Sequence, residues 1–188
     1  MWRVKMKYLL ILLFPLLLFS EKLEWNNLSE EQRMTAVAIY DIASKYNLAE
    51  TMIAIAWQES RLGKIPINLE DKASCGVHHI HIKTFLWLNN IPNTVTNRNI
   101  YCMELINDLT LDVENAIKFF DFAKNKWNGD HNKAIMSYNA GFNLKNNEKA
   151  KQYHKYVKQY MEDAKAIIEL ILTLRQIEQG LLEYGDTL

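Results

Sequence analysis

The sequence predicts an all-α (mainly α) protein built around one packed domain. Apolar residues recur at spacings of three and four along several segments, which is the period of an α-helix. No segment shows the alternation of apolar and polar residues that marks a half-buried strand, and no internal repeat stands out. Of the 188 residues, 49% are hydrophobic and 23% are charged, which suffices for a single core.

Two helices are predicted in the first third of the chain. The first begins at a capping box, Ser29-Glu30-Glu31-Gln32, and runs to about Tyr46. The second follows a short turn at 47–48 and ends before Gly63. Its apolar residues fall on one helical face: Ala49, Met52, Ile53, Ala56 and Trp57.

The remaining helices are less sharply bounded. Gly129 and Gly141 are expected to end two of them, and Pro92 together with a polar composition predicts a loop. The predicted ranges are an irregular segment at 65–76, a short helix at 83–88, a loop at 89–99, and helices at 113–127, 133–140 and 148–182.

The first 20 residues have the features of an export signal. Arg3, Lys5 and Lys7 precede an apolar run at 8–19, which is shorter than the roughly 20 residues of a membrane span. We expect residues 1–20 to be a signal peptide; the alternative is a short anchor that associates with the inner membrane. Either way, the protein is expected to be exported, to the periplasm or cell envelope.

The balance of charge excludes one class of partner. Basic and acidic residues number 22 each, so the formal net charge is zero and no nucleic-acid partner is expected.

The two cysteines have two possible states. After export, Cys75 and Cys102 would meet an oxidising compartment. A disulfide and two separate buried thiols both remain open.

Glu59 is the strongest candidate for a catalytic residue. It follows Met52, Ile55 and Ala56 by seven, four and three positions, so its carboxylate leaves the edge of the apolar face. A carboxylate beside apolar side chains at the negative end of a helix keeps its proton longer than a solvated one. A general acid needs that property. The alternative is an ordinary solvated glutamate near a helix end.

Four short motifs occur in a defined order: Glu59-Ser60-Arg61-Leu62-Gly63, Ser74-Cys75-Gly76-Val77-His78-His79, Tyr138-Asn139-Ala140-Gly141 and Tyr156-Val157. Together they resemble the soluble lytic transglycosylase (SLT) domain family, a goose-lysozyme-like module that cleaves peptidoglycan. The chain is similar in size and organisation to the small exported transglycosylases of type IV secretion systems. His79 and His78 depart from the family pattern, which usually has Gln and Met at these places.

The resemblance implies a catalytic domain at 21–160 and a C-terminal helical extension at 161–188. It implies that Glu59 acts as general acid and then base, without a cofactor. The bond cleaved is the β-1,4 bond between N-acetylmuramic acid and N-acetylglucosamine, and 1,6-anhydromuramic ends form. It also implies substrate-binding roles for seven residues, with the Tyr156 hydroxyl approaching Glu59. These residues are Ser60, Ser74, Gly76, His79, Tyr138, Asn139 and Tyr156.

Two other functions remain open at this point. One is a muramidase that hydrolyses the same bond with a water molecule, held by a second carboxylate such as Glu70 or Asp71. The other is a non-catalytic peptidoglycan-binding component of a secretion apparatus. In each case the expected partners are peptidoglycan glycan strands and a secretion or cell-envelope complex.

Two further patterns have competing interpretations. His78, His79 and His81 with Cys75 suggest zinc, but their spacing is not a standard metal signature, so no metal is expected and a polar groove wall is favoured. A stripe of apolar residues near the C-terminus could pack on its own domain, which we favour, or pair with a partner helix. The stripe consists of Tyr153, Val157, Tyr160, Ala164, Ile167, Ile171 and Leu174.

Overall fold

The structure is a computed structural model that describes residues 22–68, 70 and 73–185. The predicted signal peptide or anchor at 1–20 lies outside the described residues. Among the helices of the described part, none is both long and apolar enough to cross a membrane.

Helices dominate the described residues, so the predicted all-α class is confirmed. Short 3-10 turns lie at Trp25–Asn27 and Ser44–Tyr46. The α-helices are α1 (Glu30–Ala43), α2 (Ala49–Ser60), α3 (Ile82–Leu88), α4 (Val95–Asn107), α5 (Leu109–Lys126), α6 (His131–Ala140) and α7 (Glu148–Gly185). A small antiparallel hairpin joins β1 (Ser74–Cys75) to β2 (Ile80–His81). The hairpin was not predicted, because strands of two residues are too short to show an alternating pattern.

The capping box of α1 forms as predicted. The Ser29 hydroxyl accepts a hydrogen bond from the Gln32 N–H at 3.2 Å, and the Gln32 side-chain oxygen accepts from the Ser29 N–H at 2.9 Å. Two of the amide groups left without partners at a helix start are thereby satisfied. The Gln32 amide also donates to the carbonyl of Arg61 at 2.8 Å. The start of α1 therefore holds the end of α2 in place.

Helix α2 runs through the centre of the molecule. Every residue from Thr51 to Trp57 is buried, so the predicted single apolar face is wrong: the helix is buried on nearly all sides. Helices α1, α5 and α7 pack around it, and α7 makes the most extensive contact. A helix enclosed in this way gives the residues at its end, including Glu59, a rigid support.

The segment predicted as a loop at 89–99 is helical in its second half. Helix α4 begins at Val95 because the Thr94 hydroxyl accepts a hydrogen bond from the Asn97 N–H at 3.1 Å and caps the helix. Of this helix only Leu105 is buried. A helix with so little apolar surface is hard to distinguish from a loop by its composition.

Cys75 and Cys102 form a disulfide, with their Cα atoms 5.4 Å apart, so the alternative of two separate thiols is wrong. The bond joins β1 to α4 across a sequence separation of 27 residues. Closing a loop of this length stabilises a fold by about 3.5 kcal/mol in the chain-entropy description. The disulfide fixes the hairpin that carries Ser74 and His79.

The C-terminal helix α7 is continuous, and the predicted domain boundary at 160/161 lies inside it. Its apolar stripe packs on the protein's own core as far as Ile171, and Leu174 is 47% exposed. Residues well beyond the predicted boundary therefore belong to the hydrophobic core. The division into a catalytic domain and an extension stays a prediction.

Candidate functional site

A groove of about 480 Å³ collects most of the candidate residues. Pockets of this size suit part of a sugar chain or another small ligand. Its walls come from the end of α2, the β-hairpin, helices α3, α5 and α6, and the turn after α6. The lining residues are Glu59, Asn68, Ser74, His79, Ile80, His81, Thr84, Trp87, Phe119, Ser137, Tyr138, Asn139, Gly141 and Phe142.

Glu59 lies at the last turn of α2 with 17% of its side chain exposed. Its Oε1 accepts a hydrogen bond from the Tyr153 hydroxyl at 2.6 Å. Burial, together with the nearby Glu59 charge, raises the pKa of Tyr153 well above 10, so this phenol keeps its proton and donates it. Since Tyr153 occupies Oε1, Oε2 is the oxygen placed to exchange a proton with a ligand in the groove.

His79 faces the second oxygen of Glu59. Its Nε2–H donates to the Ile65 carbonyl at 2.6 Å, because a carbonyl can only accept, and this leaves Nδ1 directed at Glu59 Oε2, 3.6 Å away. That distance is too long for a hydrogen bond, so the interaction is one between charges. Burial alone lowers the pKa of His79, but Glu59 and the Ile65 carbonyl together raise it above 6.5.

The backbone of His79 is unusual as well. Its φ is +46°, in the left-handed region that non-glycine residues rarely adopt. The residue closes the turn between β1 and β2, where its N–H donates to the Gly76 carbonyl at 3.3 Å. Backbone strain of this kind costs of order 1 kcal/mol and is concentrated at functional sites.

The tyrosine whose hydroxyl donates to Glu59 is Tyr153, where the resemblance implied Tyr156. Substrate binding by Tyr156 stays a prediction. The Tyr156 hydroxyl accepts from the Gln152 amide at 3.0 Å. The two tyrosines are three residues apart on α7: Tyr153 is buried in the core, whereas Tyr156 is only partly buried against it. Membership of the apolar stripe was the signal in the sequence that favoured Tyr153.

Ser60 does not face the groove. Its side chain is fully buried, and its hydroxyl donates to the Val77 carbonyl at 2.5 Å and accepts from the Gly63 N–H at 2.8 Å. The structure therefore contradicts a direct contact between Ser60 and a sugar. Instead, Ser60 ties the end of α2 to the turn that precedes His79.

Gly76 also has a structural explanation. Its φ is +84°, and a Cβ atom built on it would overlap the Asp112 carboxylate and lie 2.9 Å from the Leu105 carbonyl oxygen. Gly76 does not line the groove. Only glycine fits at this position, because α4 and α5 pack closely against the turn. The structure therefore does not support the predicted contact of Gly76 with the sugar chain.

Asp112 is a residue that the sequence reasoning missed. It is fully buried, and its Oδ2 lies 2.6 Å from His78 Nδ1 and accepts from the His78 N–H at 3.1 Å. Burial raises the pKa of Asp112, and the neighbouring His78 opposes that rise. Asp112 lies four residues before Ala116 on the buried side of α5, and that spacing was the signal that could have identified it.

His78 is the partner of Asp112 rather than a metal ligand or a groove residue. Its second ring nitrogen, Nε2, lies 3.1 Å from the Met52 carbonyl of α2. The His78 carbonyl in turn accepts from the Tyr138 hydroxyl at 3.1 Å. The pair thus links α2, the hairpin turn, α5 and α6. Within the described ranges, no group of three side chains is arranged to hold a metal ion.

Ser74, Tyr138 and Asn139 line the groove together with Glu59 and His79. Tyr138 and Asn139 are carried by α6, which ends at Gly141 as predicted. The Asn139 side chain is exposed and can meet a ligand, whereas the Tyr138 hydroxyl is engaged with His78. Sugar contacts by these three residues stay predictions.

Comparison with protein families gives one match. A sequence model described as "Transglycosylase SLT domain" matches residues 37–161, which is more than half of the chain. Neither the curated proteins nor the solved structures give a significant match. The matched range contains Glu59, the hairpin and the groove, and the mainly α architecture agrees with the lysozyme-like fold of that family. The chain belongs to the transglycosylase SLT domain family, whose members act on peptidoglycan.

Proposed function

We propose that this protein is a lytic transglycosylase that cleaves the β-1,4 bond between N-acetylmuramic acid and N-acetylglucosamine and leaves 1,6-anhydromuramic ends. One observation carries the proposal: among the described residues, Glu59 is the single carboxylate that lines the groove. A reaction that uses one carboxylate as acid and then as base fits such a site.

In the first step, Glu59 delivers the proton on Oε2 to the oxygen of the glycosidic bond. The bond between that oxygen and C1 of the muramic residue breaks, and C1 becomes positively charged. The 2-acetamido oxygen of the same sugar stabilises C1, so no enzyme nucleophile is needed. Tyr153 at Oε1 and His79 near Oε2 stabilise the carboxylate that Glu59 has become.

In the second step, the Glu59 carboxylate takes the proton from the C6 hydroxyl of the muramic residue. The C6 oxygen then forms a bond with C1 and displaces the acetamido oxygen. Glu59 regains its proton, and no water is consumed. The product is a 1,6-anhydro ring, and the enzyme is ready for another cycle.

The hydrolase alternative requires a second carboxylate that holds a water molecule on the opposite side of the sugar. Glu70, one of the two candidates, is exposed and does not line the groove. Asp71, the other, lies outside the described residues. Among the described residues, the groove offers no second carboxylate, and this favours the transglycosylase.

The proposed location is the periplasm or cell envelope, where the substrate of this family lies. The disulfide between Cys75 and Cys102 supports it, because such bonds persist in oxidising compartments. Export through residues 1–20, inner-membrane association and a part in a secretion or cell-envelope complex stay predictions.

The test is the mass of the fragments that the purified protein releases from peptidoglycan. The proposal predicts muropeptides that are lighter by one water than their reducing counterparts. Reducing ends would instead identify a muramidase. If no fragments appear under any condition in which the fold is intact, the protein is a binding component and the proposal fails.

We expect Tyr153→Phe to lower kcat/KM for glycan cleavage roughly 10- to 100-fold, because a hydrogen bond to a charged group contributes about 1.5–3 kcal/mol. The ring stays in place, so the change in the free energy of unfolding should be smaller. The comparison is with Tyr156→Phe on the same helix, measured on one glycan substrate. If Tyr156→Phe has the larger effect on kcat/KM, the assignment of Tyr153 is wrong.

We expect His79→Gln, which restores the usual family residue, to keep activity and to change its dependence on pH. The pKa of His79 is raised because Glu59 and the Ile65 carbonyl outweigh burial, so the ring gains a positive charge beside Glu59 as the solution becomes mildly acidic. Glutamine has no charge at any pH, so the part of the profile that reflects protonation of His79 should be absent from the variant. The measurement is kcat/KM against pH for both proteins at fixed ionic strength.

Stability provides a second readout for His79. The pKa of His79 is higher in the folded protein than in the unfolded chain, where it is 6.5. The protonated ring therefore stabilises the fold fully below pH 6.5, and this stabilisation is lost as the pH rises through the pKa of the folded protein. The melting temperatures of the parent and His79→Gln should therefore differ more in mildly acidic than in alkaline solution. Superimposable pH profiles for both activity and stability would remove His79 from the site.

A further inference from the structure

A row of aromatic rings that the proposed chemistry does not use runs along the groove, and all of its members except Phe122 line the groove. Trp87 packs against Phe122 with ring centroids 4.9 Å apart, and Phe122 packs against Phe142 at 5.6 Å. Phe142 is followed by Phe119 at 6.3 Å, which contacts Tyr138 at 5.5 Å. The row leads from the edge of the groove to Tyr138, beside the hairpin turn. We call it the aromatic wall.

Trp87 is the exposed end of the aromatic wall. More than half of its surface, 55%, is open to solvent, although it lines the same groove as Glu59. Its neighbours Phe85 and Leu86 on α3 are buried in the core. Leaving a large apolar ring in water gains nothing for the fold, so an exposed tryptophan inside a groove points to a ligand.

The support beneath Trp87 is fixed by polar contacts. The Asn89 amide, just after α3, donates to the Asn115 side chain at 2.7 Å and to the Phe85 carbonyl at 2.9 Å. Lys118 donates to the Asn89 side-chain oxygen at 3.0 Å. The end of α3 is thereby attached to α5, the helix that also carries Phe119 and Phe122. A ring held on such a support is preorganised to receive a flat apolar surface.

The aromatic wall suits a pyranose ring. Sugars have one face of C–H groups, which packs on an aromatic ring, and hydroxyl and acetamido groups at the edge, which need polar partners. The same groove presents such partners in Asn68, His81 and Asn139. The Lys126 ammonium lies 4.0 Å from the centre of the Phe142 ring.

We propose that Trp87 is a stacking platform for an N-acetylhexosamine ring of the glycan strand, at a subsite away from the cleaved bond. The proposal rests on the proposed function for the identity of the strand, because the rings themselves specify only a sugar. In this proposal, the aromatic wall binds one part of the glycan strand while Glu59 cleaves a bond in another part of the strand. The wall would therefore favour longer strands over short fragments.

The test is the binding of N-acetylglucosamine oligomers of increasing length, measured by calorimetry with the full chain in the Glu59→Gln background so that no turnover interferes. We expect Trp87→Ala to weaken binding of the hexasaccharide about five- to tenfold, in line with the contribution of an aromatic contact. Trp87→Phe should bind within about twofold of the Trp87 parent, since it keeps a stacking face. The disaccharide should be affected much less than the hexasaccharide.

The matched control is Tyr46→Ala, because Tyr46 is an aromatic residue with similar exposure, 51%, that does not line the groove. Its binding should equal that of the parent. A second measurement follows the indole N–H resonance of Trp87, identified by its absence in Trp87→Phe. This resonance should shift on addition of the hexasaccharide.

The proposal is overturned if Trp87→Ala binds the hexasaccharide as the parent does, or if the Trp87 resonance does not move. It is also overturned if the loss appears only with a wall stem peptide as ligand, which would make the wall a peptide site. The binding measurement does not depend on the reaction. If the protein cleaves glycan strands but Trp87→Ala does not change binding, the stacking platform is wrong and the proposed function still holds.

Discussion

Glu59→Gln is expected to abolish glycan cleavage and to leave the fold intact. Glutamine has nearly the same shape and its side-chain oxygen can still accept the hydrogen bond of Tyr153, so the end of α2 should be undisturbed. It cannot donate and recover a proton as an acid does. General acid–base catalysis contributes roughly 10²- to 10⁴-fold, so the loss in kcat/KM should be at least of that order. The measurement is the rate of fragment release, with a melting curve for each protein.

The control for this variant is Glu70→Gln, which makes the same chemical change on an exposed residue outside the groove. It should release fragments at the rate of the parent. Activity in Glu59→Gln with a normal melting curve would contradict the role of Glu59. A loss in Glu70→Gln equal to that in Glu59→Gln would instead favour a hydrolase with two carboxylates.

Asp112→Ala is expected to lower the free energy of unfolding by about 3–5 kcal/mol, because removing one partner of a fully buried, hydrogen-bonded pair of polar side chains leaves the other without its partner. His78 would keep Met52 as a partner for one ring nitrogen and lose the partner of the other, and its backbone N–H would also be unsatisfied. Since the same turn carries His79, glycan cleavage should fall as well. The measurement is denaturant unfolding at neutral pH.

The matched control is Asp121→Ala, on the exposed side of the same helix α5. It should change the free energy of unfolding by less than about 0.5 kcal/mol, as substitutions on the surface usually do. An equally small change in Asp112→Ala would show that the buried pair contributes little, and the account of the hairpin support would then be wrong.

The elements that were predicted correctly are those for which nearby residues in the sequence determine the structure. The capping box at Ser29 and the helix end at Gly141 both formed, because each depends on residues close together in the chain. Helix α4 was not predicted from its start, because only the cap at Thr94 marks that start and the surface of the helix is mostly polar. Its helical state depends on tertiary packing, which local composition does not reveal.

At the site, the sequence identified which segments meet but not which atoms meet. Glu59, His79 and Asn139 line one groove, as the order of motifs implied. The choice between Tyr153 and Tyr156 depends on the rotation of α7 about its axis, and a motif does not specify that rotation. Asp112 was missed because a buried carboxylate is tolerated only through its partner His78, which lies 34 residues away in the chain.

In the proposed reaction, Glu59 acts alone and water takes no part in bond cleavage. Digestion of purified peptidoglycan in water enriched in heavy oxygen, with mass analysis of the new muramic ends, tests this directly. We expect anhydro ends without the heavy isotope from the parent, and no new ends from Glu59→Gln. Muramic ends that carry heavy oxygen from the first moments of the reaction would contradict the proposed reaction, because that oxygen could only come from a water molecule that attacked C1.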